Sequence, residues 1–113
     1  MADLITADAL VQPLATEVAP GAEVVAGTPT AGVTELARVG GVELGIWEMT
    51  AGTARDVEAD EVFVVLAGDG ELHGEDGATI ELRPGVVVRL AAGERTEWVV
   101  RETVRKLYLT PAD

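Results

Sequence analysis

The chain has 113 residues, enough for one domain with a single core. Its 20 acidic and 8 basic side chains leave a net charge of −12. That balance excludes neither fold nor catalysis, but it argues against nucleic acid and anionic membranes, both of which are gripped through Lys and Arg. The acidic surface is read as a solubility feature.

Cysteine is absent, which removes disulfides, thiolate nucleophiles and zinc–sulfur sites, and serine is absent too. No apolar run is long enough for a bilayer. The opening "MADLITADAL" lacks a basic segment followed by an apolar one, so the expected location is cytoplasmic.

In chain order, residues 1–22 are expected to form an N-terminal arm on the barrel or on a partner subunit. Within the arm, Thr6 would cap a short helical turn over "ADALV" that Pro13 ends. Residues 23–113 are expected to form one all-β domain. "VTELARV" (33–39) alternates, Gly40-Gly41 suits a tight hairpin, and "VELGIWEM" (42–49) returns. "EVFVVLA" (61–67) is nearly continuous in apolar residues, as for a strand covered on both faces. Gly68-Asp69-Gly70 then reads as a hairpin turn into "ELH", and Glu75-Asp76-Gly77 as a turn into "ATIEL". Pro84-Gly85 leads to "VVVRL", Ala92-Gly93 to "RTEWVV", and Arg101-Glu102 to "TVRKLYL". Short strands at this regular spacing predict an antiparallel sandwich or small barrel.

"Glu61-x(6)-Gly68" followed by "PGVVVRLAAGERT" (84–96) resembles the two motifs of the cupin superfamily. "GIWEMTAGT", "DEVFVVLAGDGEL", "RTEWVV" and "VRKLYL" are similar to the small cupins that include (S)-ureidoglycine aminohydrolase and the ethanolamine-utilisation cupin. The resemblance implies a double-stranded β-helix, or jelly roll, and a homodimer whose contacts cover open sheet edges. It also shows what is missing. The first motif supplies two histidines and a glutamate to a metal, but "TARDVEAD" between Gly52 and Glu61 is too short and has no histidine. Thr96 stands where the second motif has its third histidine. Glu61 with a threonine hydroxyl does not suit Mn, Fe, Ni or Zn, so neither metal nor cofactor is expected.

His73, the one histidine, shares a face with Glu71 in "GELHG", opposite Leu72. With Leu72 inward, His73 points outward. By the resemblance, Glu61, Phe63 and Val65 point into the barrel, as do Thr96, Trp98 and Val100. Trp47 pairs with Met49 on one face, and Tyr108 with Lys106 and Val104 on another, with their direction open. Phe63, Trp98, Trp47, Tyr108 and Thr96 are therefore candidate ligand contacts, with core filling as the other reading. Glu61 is the candidate acid or base. Its carboxylate would be desolvated beside the rings, or held ionised by Arg55 or Arg89. Two functions stay open: a metal-free cupin that binds a small molecule or serves as an accessory subunit, and a metal-independent enzyme using Glu61 on a small polar metabolite.

Overall fold

The protein is described as a computed structural model covering residues 2–18 and 22–112. It is a curled antiparallel half-barrel with nine strands among the described residues: β1 (Ala15–Val18), β2 (Glu23–Ala26), β3 (Thr30–Val39), β4 (Val42–Met49), β5 (Gly52–Val57), β6 (Glu61–Gly74), β7 (Thr79–Leu82), β8 (Val87–Leu90) and β9 (Arg95–Pro111). The strand order is β1-β3-β4-β9-β5-β2, and β6 lies along β9 while also pairing β7 and β8. The spine is the β6–β9 ladder, running from Val62 opposite Leu109 to Gly74 opposite Thr96. On the other edge of β9, β4 and β5 follow one another end to end.

The glycine hairpin forms as expected. Gly40 and Gly41 have φ of +57° and +82°, the left-handed pair that a two-residue turn between twisted strands requires. Two expected breaks do not form. Gly68-Asp69-Gly70 is a bulged bend within continuous β6, and Arg101-Glu102 lies inside continuous β9. The bend needs its glycines because β9 passes too close for side chains. A Cβ at Gly70 would sit 2.5 Å from the Val99 carbonyl oxygen. Arg101 closes the bend from outside, donating to Asp69 at 2.7 Å and Glu71 at 2.9 Å.

The N-terminal segment also departs from the expected helical turn. Asp8, not Thr6, organises a single turn by accepting from Leu10 N at 3.0 Å, while Val11 N donates to the Asp8 carbonyl at 3.2 Å. One isolated turn cannot repay helix nucleation. Residues 15–18, expected in the arm, join the sheet as β1 against β3, and 19–21 lie outside the described residues. The segment before β1 crosses the outer face of β9, where Arg105 Nη1 donates to the carbonyls of Ala9 and Gln12 at 2.9 and 2.8 Å.

Both face assignments left open resolve inward. Met49 and half-buried Trp47 join Val104, Lys106 and Tyr108 on the inner face with Phe63, Val65, Leu72, Leu90 and Trp98. Each buried aliphatic or phenyl side chain contributes about 1.5–3 kcal/mol. Gly45 faces Tyr108 across the ladder, and a Cβ there would meet the phenol oxygen at 2.3 Å.

Candidate functional site

Glu61 opens β6 and turns inward, with Phe63 two residues on. Register places Lys106 of β9 between Val65 of β6 and Trp47 of β4. Trp98, on the same strand face eight residues earlier, closes the group. Lys106 Nζ donates to Glu61 Oε2 at 2.5 Å. The same nitrogen lies 4.5 Å from the Phe63 ring centre, 4.7 Å from Trp47 and 4.9 Å from Trp98. Trp98 also packs on Trp47 and Phe63, with ring centres 5.0 and 5.6 Å away. Three π-faces and one carboxylate thus surround a single ammonium whose side chain is 5% exposed.

Charge in this corner is unbalanced. Glu58 Oε2 accepts from Thr96 Oγ1 at 2.6 Å and Trp98 Nε1 at 3.0 Å, which satisfies both buried donors. Burial pushes the Glu61 carboxyl above its ordinary range. Lys106 opposes that rise through charge and hydrogen bonding, while Glu58 and Asp56 reinforce it. Asp56 is also raised, first by desolvation and then by Glu58, against its own hydrogen bond from Val57 N and the more distant Lys106. Among the described residues Asp56 has no cation within salt-bridge distance.

A carboxyl whose folded pKa is raised binds its proton more tightly in the folded state. Stability therefore falls as pH rises from the unfolded pKa through the raised folded value, and the penalty is complete above it. Asp56→Asn is accordingly expected to raise the thermal midpoint at pH 7 and to leave it unchanged near pH 3. Calorimetry at the two pH values checks this, and an equal effect at both would contradict it.

Phe63, Trp98 and Trp47 converge on Lys106, and Thr96 reaches the group through Glu58. Tyr108 faces inward too, but its hydroxyl donates to Glu43 Oε2 at 2.7 Å. Burial, then the Glu43 hydrogen bond and charge, push that phenol well above its ordinary value. Neither arginine expected beside Glu61 is there. Arg55 pairs with Glu97 at 3.0 Å and Arg89 with Asp60 at 3.4 Å. Strand alternation explains both, since Ala54 of β5 and Val88 and Leu90 of β8 are the inward residues, turning the neighbouring arginines out. The cation is Lys106. Its signal in the sequence was a lysine alternating with Val104 and Tyr108 in a largely apolar strand, because a buried ammonium demands a buried carboxylate.

Leu72 is buried and His73 points out, with Nε2 2.8 Å from Glu71 Oε1 and Nδ1 3.8 Å from Glu97 Oε1. His73 instead borders an open cleft of about 490 Å³ with Arg55, Glu75, Arg95 and Glu97. A smaller cavity of about 70 Å³ lies against Trp47, Trp98, Met49, Ala54 and Asp56.

No group of three or more His, Cys, Asp or Glu side chains among the described residues is placed to hold a metal ion. Of the two residues that the motif resemblance puts at metal-ligand positions, Thr96 donates to Glu58 and Glu61 already faces an ammonium. A divalent cation there would meet one carboxylate and a like charge, so the residues do not fit a transition metal.

Residues 36–108 match the model of the EutQ-like cupin domain. The chain belongs to the EutQ-like cupin family. The EutQ protein of Clostridium difficile is 20% identical, with 76% of this chain and 71% of that one aligned at a TM-score of 0.67. A putative ethanolamine utilization protein of Salmonella typhimurium is 25% identical over 74% of this chain and 71% of that one, with a TM-score of 0.64. A protein of unknown function from Pseudomonas syringae aligns with 90% of this chain at 20% identity and a TM-score of 0.68, although this EutQ-like cupin spans only 45% of that chain. No curated protein matches it. These similarities establish the cupin fold and leave the role to the residues.

Proposed function

We propose that this EutQ-like cupin is a metal-free binding module rather than an enzyme, taking a small polar ligand in the open cleft where β5, β6 and β9 meet. The observation that carries the reading is the internal pairing of the candidate acid or base. Lys106 packs among three rings on the inner face and holds Glu61 in an ion pair. The cleft sets Arg55 and Arg95 against Glu23, Asp56, Glu75 and Glu97, with the His73 ring beside them, which suits a polar ligand bearing both signs.

The proposed assembly is a homodimer. Val62, Val64, Leu107 and Leu109 form adjacent pairs on the outer face of the β6–β9 ladder, and Val87 extends the apolar strip. Val62, Leu109 and Val87 are exposed by 39%, 41% and 66%, an apolar surface that a second copy would cover isologously. No helix among the described residues is long and apolar enough to cross a membrane. A cysteine-free chain is suited to the cytoplasm proposed for it.

The alternative is a metal-independent enzyme, favoured by the raised Glu61 carboxyl, which is poised for proton transfer once Lys106 releases it. One NMR titration separates the two. Small zwitterionic metabolites are expected to shift the amides of His73, Arg95 and Glu97. Shifts centred on Glu61, Trp98 and Lys106 would transfer support to the enzyme reading, and stoichiometric Mn, Fe, Ni or Zn in the same sample would overturn the metal-free premise. Sedimentation of that sample as a monomer would overturn the dimer.

A further inference from the structure

The geometry points to an ammonium receptor inside the barrel, built from Trp47, Phe63, Trp98 and Glu61 and occupied in cis by Lys106. The site thus takes a primary alkylammonium as its ligand class, and the chain supplies that ligand itself. This goes beyond the cleft reading and does not depend on it.

Three observations combine. Lys106 Nζ is nearly equidistant from three ring centres, at 4.5–4.9 Å, within the range where a cation is held by the negative face of a π-system. Core filling alone requires no such centring, and a methionine would fill the same volume. Among the described residues, the one charged atom within hydrogen-bond distance of the ammonium is a carboxylate oxygen, so the shell has the complementary sign. Glu58 and Asp56 both act on the Glu61 carboxyl as further negative charge. A surrounding shell with more carboxylates than ammoniums attracts a cation whether or not the cation is tethered.

Metal-donor chemistry fails here for the reason that ammonium chemistry succeeds. Aromatic faces with one carboxylate at bonding distance coordinate no transition metal, but they are the components that recognise an alkylammonium ion. The cavity of about 70 Å³ against Trp47 and Trp98 leaves free space beside two walls of the receptor.

Truncating Lys106→Ala removes three methylenes and the ammonium, the atoms of n-propylammonium. That variant is expected to bind n-propylammonium, with half-saturation on the order of 10 mM for so small a ligand. At ten times that concentration the unfolding equilibrium constant should fall roughly tenfold, read as an upward shift of the thermal midpoint. 1-Propanol, the same shape without the charge, should give no such shift. The wild type and a Lys106→Met/Glu61→Gln variant, whose cages are filled, should not respond to either compound.

If Lys106→Ala is unfolded in buffer, n-propylammonium and not 1-propanol should restore its near-ultraviolet circular dichroism. Equal responses to the amine and the alcohol, no response to the amine, or an equal amine response in the filled cages would each overturn the receptor.

Discussion

Lys106→Met is expected to destabilise the protein by about 3–5 kcal/mol at pH 7, the range for removing one partner of a buried ion pair. Methionine keeps the packing against Trp47, Phe63 and Trp98, so the loss is electrostatic and not a cavity effect. Glu61 would be left desolvated, facing Glu58 and Asp56 without its cation. The sign of the pH dependence follows. Lys106 now opposes the rise in the Glu61 pKa, and without it the folded value climbs further. The variant's deficit is then largest above that value and shrinks as acid protonates the carboxyl. Adding Glu61→Gln should restore most of the loss, because a neutral amide in place of the carboxylate leaves no unpaired charge. Urea unfolding at pH 7 and pH 5 measures all of this. A deficit below 1 kcal/mol at pH 7, or one that grows toward pH 5, would show that the pair does not organise the barrel.

Gly68→Ala is expected to cost about 3 kcal/mol, from two independent strains. Gly68 has φ of +104°, where a side chain is disfavoured by about 1–2 kcal/mol. A Cβ there would also lie 2.2 Å from the Thr103 carbonyl oxygen and 2.6 Å from the Val104 Cα, both backbone atoms of β9. Relieving that contact means moving the spine ladder, an overpacking cost of about 1–3 kcal/mol. The displaced strand is the one that carries Lys106 and Trp98, so the variant should also change tryptophan fluorescence while still folded. Gly77→Ala is the comparison: its φ is also positive, at +87°, but nothing lies within 4 Å of its added Cβ. It should show the conformational cost alone. Equal losses at the two positions would refute the close-approach account.

These two residues mark how far the site could be read from the sequence. Gly68 was legible as a motif glycine but misread as a turn, since a glycine that bends a continuous strand and one that ends it look alike in sequence. Resolving them takes the partner strand, and here β9 runs past the bend without interruption. The same limit merged the expected strands on either side of Arg101-Glu102. Alternation with period two grouped Glu61 with Phe63 and Thr96 with Trp98, and the cupin resemblance is what turned those faces inward. The partner of Glu61 was not legible. Arg55 and Arg89 are nearer in the chain, but parity sends them outside, while Lys106 lies 45 residues away in sequence.

By itself, then, the sequence determined an all-β chain, a resemblance to cupin motifs at Glu61, Gly68, Gly85 and Gly93 without their metal-binding histidines, and the two-residue hairpin at Gly40-Gly41. These are local properties: side-chain alternation, glycine φ freedom and the identity of residues at motif positions. The tertiary structure alone decided that Trp47, Phe63, Trp98 and Glu61 close around Lys106, because that arrangement depends on the register of β9 between β4 and β6. Register is set by packing along whole strands, and a shift of one residue would have turned Lys106 to solvent and Arg105 into the barrel.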